Sequence, residues 1–112
     1  MAKDKLFLLT PGFDNPNRDD GPFVCPFSNQ IEGLLASFPD LAERLDVKRV
    51  AFVRPRADVI AAVGEENQAL PLLVLGDNPP DDARHHGNIA FIQDTPRILS
   101  LLAERHGFPK IH

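Results

Sequence analysis

Four short apolar runs, each cut off by proline, glycine or a polar turn, constrain this chain more than any other feature. They are Lys5 to Thr10 before Pro11-Gly12, Val47 to Val53 before Arg54-Pro55, Leu72 to Leu75 between Pro71 and Gly76, and Asn88 to Ile92 before Gln93-Asp94. Runs of this length rich in Leu, Val, Ile and Phe are too short for globular helices and have the length of strands. Lys5 to Thr10 has no polar alternation in Leu6-Phe7-Leu8-Leu9, which predicts a strand buried on both faces. Between the runs, apolar residues recur with helical spacing. Phe27, Ile31, Leu34, Leu35 and Phe38 form one stripe after Cys25; Val59, Ile60 and Val63 form another within Arg56 to Val63, stopped by Gly64. Ile98, Leu101 and Leu102 form a third, opened by Thr95 as N-cap and Pro96 as first helical residue and stopped by Gly107 and Pro109. Pro39 breaks the first helix and opens a shorter one, Pro39 to Leu45.

The resulting order is strand, helix, strand, helix, strand, strand, helix. An initial strand-helix-strand unit is expected to be parallel and right-handed, and the last two strands an antiparallel pair. The expected fold is therefore α/β, a mixed four-stranded sheet with helices on both faces. With 112 residues, 43% of them hydrophobic, residues 1–112 suffice for one domain and not for two. A net charge of -4 argues against a general phosphate-backbone binder, so nucleic acid is not the expected partner. The apolar run Leu6 to Leu9 is too short for a signal-peptide core or a membrane span, and no membrane association is expected. One cysteine cannot form an internal disulfide, which makes the cytoplasm the expected location.

That cysteine, Cys25, stands where a long polar loop, Thr10 to Val24, becomes the first helix. A helix N-terminus offers unpaired N–H groups and partial positive charge, an environment that favours a reactive thiol. Pro26 fits the first helical position. The plainer reading of a lone cysteine is a small buried hydrophobe. His85-His86 with Asp81 and Asp82 offers metal-capable side chains crowded on one loop without the spacing of a closed site, so a solvated loop is expected and no metal. Glu65-Glu66 reads as ordinary surface.

Cys25-Pro26-Phe27-Ser28, Leu70-Pro71 before the third strand, and Asp94-Thr95 at the last helix resemble, in that order, the thioredoxin-like fold in its glutaredoxin and glutathione-transferase N-terminal branches. Phe91 through Gly107 is similar to the end of a glutathione-transferase N-terminal domain. The whole chain also resembles a family of small bacterial proteins with no assigned activity. The resemblance implies that Cys25 is the reactive thiol. It further implies that Leu70 offers its backbone N–H and C=O to the cysteinyl part of glutathione across a cis Leu70-Pro71 bond, and that Asp94 and Thr95 hold the γ-glutamyl end. Without it, Pro71 would be an ordinary trans proline opening a strand, and Asp94 and Thr95 simple helix caps.

Ser28 stands where a dithiol enzyme has its second cysteine, and the chain has none. Dithiol chemistry within one chain is thereby excluded, leaving a monothiol route in which Cys25 is glutathionylated and released by a second glutathione. Ser28 is then a hydrogen-bonding neighbour of the thiolate or a first-turn helix residue. Glutathione is the expected co-substrate, with no tightly bound cofactor; Pro26 replaces the glycine of the cluster-binding branch, which argues against a shared iron–sulfur cluster. The loops Thr10–Val24 and Gly76–Gly87 depart from the glutaredoxin pattern. Arg18, the only basic residue between Lys5 and Cys25, is followed by Asp19-Asp20, so no cation is evident beside the thiol. The alternative is a non-catalytic thioredoxin-like binding module in which Cys25 is structural.

Overall fold

The computed structural model describes residues 3–112. Nine elements follow in order: β1 (Lys5–Leu9), α1 (Pro26–Ser37), α2 (Pro39–Ala42), β2 (Asp46–Val50), α3 (Ala57–Val63), β3 (Leu72–Leu75), β4 (Arg84–His86), β5 (Ile89–Ile92) and α4 (Thr95–His106). The strands form one sheet in the order β2-β1-β3-β5-β4. Strand β1 runs parallel to β2, with Leu9 opposite Val50, and antiparallel to β3, with Phe7 opposite Leu72. Strand β5 runs antiparallel to both β3 and β4. The parallel initial unit, the antiparallel pairing of the two later apolar strands, and helices on both faces agree with the expectation from sequence.

Alternation along the strands divides the core into two layers. Leu6 and Leu8 of β1, Leu73 and Leu75 of β3, and Ala90 and Ile92 of β5 join Ile31 and Leu35 of α1 and Ile98, Leu101 and Leu102 of α4. Their intervening neighbours Phe7, Leu72 and Phe91 turn to the other face, where Val59 and Val63 of α3 and Val50 cover them. A run of apolar residues without polar alternation is the sign of such two-sided burial. Each fully buried Leu or Phe contributes about 1.5–3 kcal/mol relative to exposure.

Three expectations need correction. The sheet has five strands, because Arg84–His86 lies within the segment read from sequence as a loop. All three of its residues are exposed, so an edge strand with no apolar periodicity left no pattern to find. The two-residue Gly87-Asn88 connection to β5, with Gly87 at φ 58, was the available signal, since Gly at the first position suits a tight hairpin. Strand β2 spans Asp46–Val50 rather than Val47–Val53, because Phe52 leaves the sheet to stack on Phe13 with ring centroids 4.5 Å apart. The N-cap of α4 is Asp94, not Thr95: an Asp94 Oδ2 accepts from Arg97 N at 3.1 Å, and a carboxylate also complements the positive helix end. At its other end Gly107, at φ 79, lets Phe108 fold back into the core.

One buried ionic cluster ties three distant segments below this sheet. Asp4, 2% exposed, accepts from Arg105 Nε at 2.6 Å and Nη2 at 2.8 Å, from Gly76 N at 2.8 Å, and contacts His106 Nε2 at 2.8 Å. Arg105 donates onward to the carbonyls of Asp77 and Asn78. Burial alone would raise the Asp4 pKa, but hydrogen bonds from Arg105, Gly76 N and His106, with the Arg105 charge, outweigh it and hold the carboxyl below the usual range. A depressed folded-state pKa contributes stability above the unfolded value of about 3.9, and that stability is lost as pH falls through the folded value. Asp4→Asn, which sets an amide against the Arg105 fork, is expected to cost roughly 3 kcal/mol in urea unfolding at pH 7. It should also flatten the acid limb of stability below about pH 4.

Candidate functional site

The strand registers bring the predicted site segments to one end of the sheet. Strand β1 ends at Leu9 and parallel β2 ends level with it at Val50. Antiparallel β3 begins at Leu72 opposite Phe7, so Leu70-Pro71 enter at this same end. Strand β5 leaves there too, its Ile92 opposite Leu73, carrying Asp94 and Thr95 into α4. Cys25 completes the set as N-cap of α1, with an extended backbone at φ -77 and ψ 118.

Around Cys25 the geometry is that of a capped helix whose cap is a sulfur. Ser28 N donates to Cys25 Sγ at 3.4 Å, and the cysteine is half-buried. The Ser28 hydroxyl, 1% exposed, accepts from Leu9 N at 3.1 Å and so bolts α1 to the end of β1. It is thus the Ser28 backbone N–H that reaches the sulfur, while the side chain serves the sheet. Leu70 is half-buried, Pro71 is fully buried, and the bond between them is cis, as the resemblance implied. Asp94 is exposed and caps α4, and Thr95 is half-buried beside it.

The loop Thr10–Val24 is folded back on itself rather than open. Phe13 and Phe23 pair as an isolated bridge, with Phe13 N to Phe23 O at 3.0 Å and Phe23 N to Phe13 O at 2.8 Å. Their rings lie 6.0 Å apart, Phe13 stacks on Phe52, and the Arg18 guanidinium sits 5.0 Å above Phe23. Such contacts add about 0.5–1.5 kcal/mol per aromatic pair beyond the area they bury.

Two features escaped sequence reasoning. Arg56, read only as a helix start, is 7% exposed: it donates from Nε and Nη2 to Phe52 O at 3.1 and 2.6 Å, and from Nη1 to Gln68 O at 2.7 Å. Its backbone N donates to Gln68 Oε1 at 2.8 Å. Burial lowers the Arg56 pKa and the neighbouring Arg54 charge lowers it further, while Cys25 acts in the opposite sense. The second feature is an amide network holding the segment before Pro71. Gln93 Nε2 donates to the carbonyls of Asn67 and Ala69, and Arg84 bonds Asn67 Oδ1 and Gln93 Oε1. Nothing in the local sequence marks these groups, because their partners lie 9 to 26 positions away.

Between α1 and α4 lies a groove of about 550 Å³ lined largely by Phe27, Thr95, Pro96, Leu99, Ala103 and Ile111. It brings the helix that Cys25 caps beside the helix that Asp94 caps. Phe27, 56% exposed, is its apolar wall nearest in sequence to the thiol.

The model of a family described as "Protein of unknown function (DUF3088)" matches residues 3–110. The chain belongs to the DUF3088 family. No curated protein and no solved structure matches it. The matched stretch contains all five strands and all four helices, together with Cys25, Ser28, Leu70, Pro71, Asp94 and Thr95. No helix of this DUF3088 protein, among the described residues, is long and apolar enough to cross a membrane.

The Ser28 bolt makes a direct prediction. Ser28→Ala leaves Leu9 N–H buried without its acceptor and is expected to cost about 1–3 kcal/mol, read as a lower urea midpoint with an unchanged slope.

Proposed function

We propose that this protein is a thioredoxin-like, glutathione-linked monothiol oxidoreductase acting through Cys25. The observation that carries the reading is the half-exposed sulfur at the first turn of a 12-residue helix, receiving a backbone N–H at 3.4 Å. Free N–H groups at a helix N-terminus favour negative charge there, which is what an attacking sulfur needs. The parallel β1-α1-β2 unit, followed by antiparallel β3 and β5 and closing α4, supports the thioredoxin-like assignment.

In the proposed reaction the Cys25 thiolate attacks the glutathione sulfur of a mixed disulfide. A Cys25–glutathione disulfide forms, and the substrate sulfur leaves as a thiolate that takes up a proton. A second glutathione thiolate then attacks the bound glutathione sulfur, forming oxidised glutathione and returning Cys25 as a thiolate. The net change is one mixed disulfide and one glutathione to one free thiol and one oxidised glutathione. Leu70 would supply backbone groups to the cysteinyl moiety, and Thr95 and the exposed Asp94 would meet the γ-glutamyl end; Asp94 can face an ammonium while capping α4. Ser28 supports the sulfur through its N–H. The reaction suits a reducing compartment such as the cytoplasm, where glutathione is the abundant thiol.

A non-catalytic binding module is the second reading, favoured by the apolar Val24 and Phe27, 49% and 56% exposed, on either side of Cys25. The two are separated by one experiment. Incubation with oxidised glutathione is expected to add one glutathione to the wild type by intact mass, reversed by reduced glutathione, and none to Cys25→Ser. A wild type that stays unmodified while remaining alkylatable at Cys25 would sink the redox reading and leave the module.

A further inference from the structure

Helix α1 meets solvent through a surface almost without charge. From Gly21 to Pro39 the only Asp, Glu, Lys or Arg is Glu32, in a chain where one residue in four is of these types. Glu32 is itself held by Arg49 through hydrogen bonds of 2.7 and 2.8 Å. The helix instead exposes Phe27, Asn29, Gln30, Gly33, Ala36 and Ser37. Among the described residues six large apolar side chains are exposed; Val24, Phe27 and Phe38 flank or belong to this helix, and Ile111 stands on the groove that α1 forms with α4. Loss of charge combined with exposed aromatic side chains separates the centre of a protein interface from ordinary surface.

Charge also selects the partner. An uncharged helix face offers nothing to lipid headgroups or to a phosphate backbone. Two copies of a protein of net charge -4 repel wherever acids meet acids, and α1 brings no unmatched acid to such a contact. The groove does carry two charged residues, and they are of opposite sign, Glu104 and Lys110. Among the described residues Lys110 joins no ion pair, and Glu104 reaches only Arg97, at 3.7 Å. In a two-fold contact residue i meets j while j meets i, so a Lys110–Glu104 contact between copies forms twice and closes the association at a dimer. A stable interface takes about 800 Å² from each partner, roughly an eighth of the 6677 Å² exposed by this molecule. Helices α1 and α4, each of 12 residues and about 18 Å long, flank the groove and give a patch of that order.

We infer that the α1–α4 face is the interface of a homodimer, in which Phe27 of each copy seats in the groove of the other and Lys110 faces the partner's Glu104. The buried Leu99 and the apolar Pro96, Ala103 and Ile111 give the ring an apolar seat. The inference goes beyond the redox reading and asks nothing of the Cys25 sulfur.

Analytical ultracentrifugation of the full chain tests it, in a reducing buffer so that no Cys25–Cys25 bridge holds two chains together. The wild type is expected to sediment as a dimer with a dissociation constant on the order of micromolar or below. Phe27→Asp, at a position exposed in the single chain, should keep the far-UV circular dichroism and weaken the dimer about 100-fold or more. Lys110→Glu and Glu104→Lys should each weaken it about tenfold, because two attractions become two repulsions. An equimolar mixture of those two variants sets every reversed charge opposite its complement and should restore the wild-type affinity as a heterodimer, a result that only contact between copies produces. A wild type that stays monomeric at about 100 µM would overturn the inference and leave the groove to a small apolar ligand or a different protein. So would a dimer indifferent to Phe27→Asp, or a mixture that associates no more tightly than its separate variants.

Discussion

From Leu6 to Leu9 strand β1 has water on neither face and a partner along both edges, and the other elements take their places from that fact. A strand buried on both sides needs two covering layers. One comes from α1 and α4 over Leu6 and Leu8, the other from α3 over Phe7. With β2 parallel on one edge and β3 antiparallel on the other, the ends of four strands and the starts of two helices collect at one end of the sheet. The candidate-site segments reach that end through the register of β1 with β3 and of β3 with β5.

The two ends of the sheet are built differently. At the lower end a fully buried carboxylate, Asp4, meets Arg105 and His106, so charges are matched within the cluster. At the upper end a buried cation, Arg56, is held by the carbonyls of Phe52 and Gln68 and lies over the Phe52 ring, while the half-buried Cys25 sulfur receives the Ser28 N–H. Both arrangements lock distant segments together, one through a matched ion pair and the other through charge-assisted hydrogen bonds to backbone carbonyls. The Ser28 hydroxyl and the Gln93–Asn67 amides add rigidity where the segments converge, which a positioned thiol requires.

Much of this organisation is legible residue by residue. The apolar run at Leu6-Phe7-Leu8-Leu9 implies two-sided burial, and the stripe Ile31, Leu34, Leu35 implies a core-facing helix, because side-chain periodicity is set locally by backbone geometry. Cys25-Pro26 marks the start of α1 for the same local reason. By contrast Arg84–His86 becomes a strand only because β5 offers an unpaired edge, and Phe52 leaves β2 only because Phe13 offers it a ring. Asp94 and Thr95 both suit a helix start, and a difference of one position between them depends on which oxygen reaches Arg97 N.

The sequence by itself determined the element string apart from β4, the two-sided burial of β1 and the restriction to a single thiol, since hydrophobic period, proline and glycine chemistry and a cysteine count are properties of short stretches. Tertiary structure alone decided that Arg56 is buried, that its guanidinium holds the Phe52 and Gln68 carbonyls, and that the Ser28 side chain serves Leu9. Electrostatic and hydrogen-bond partners are chosen by the meeting of segments far apart in the chain, and no local pattern records which charge will be left without a counter-ion.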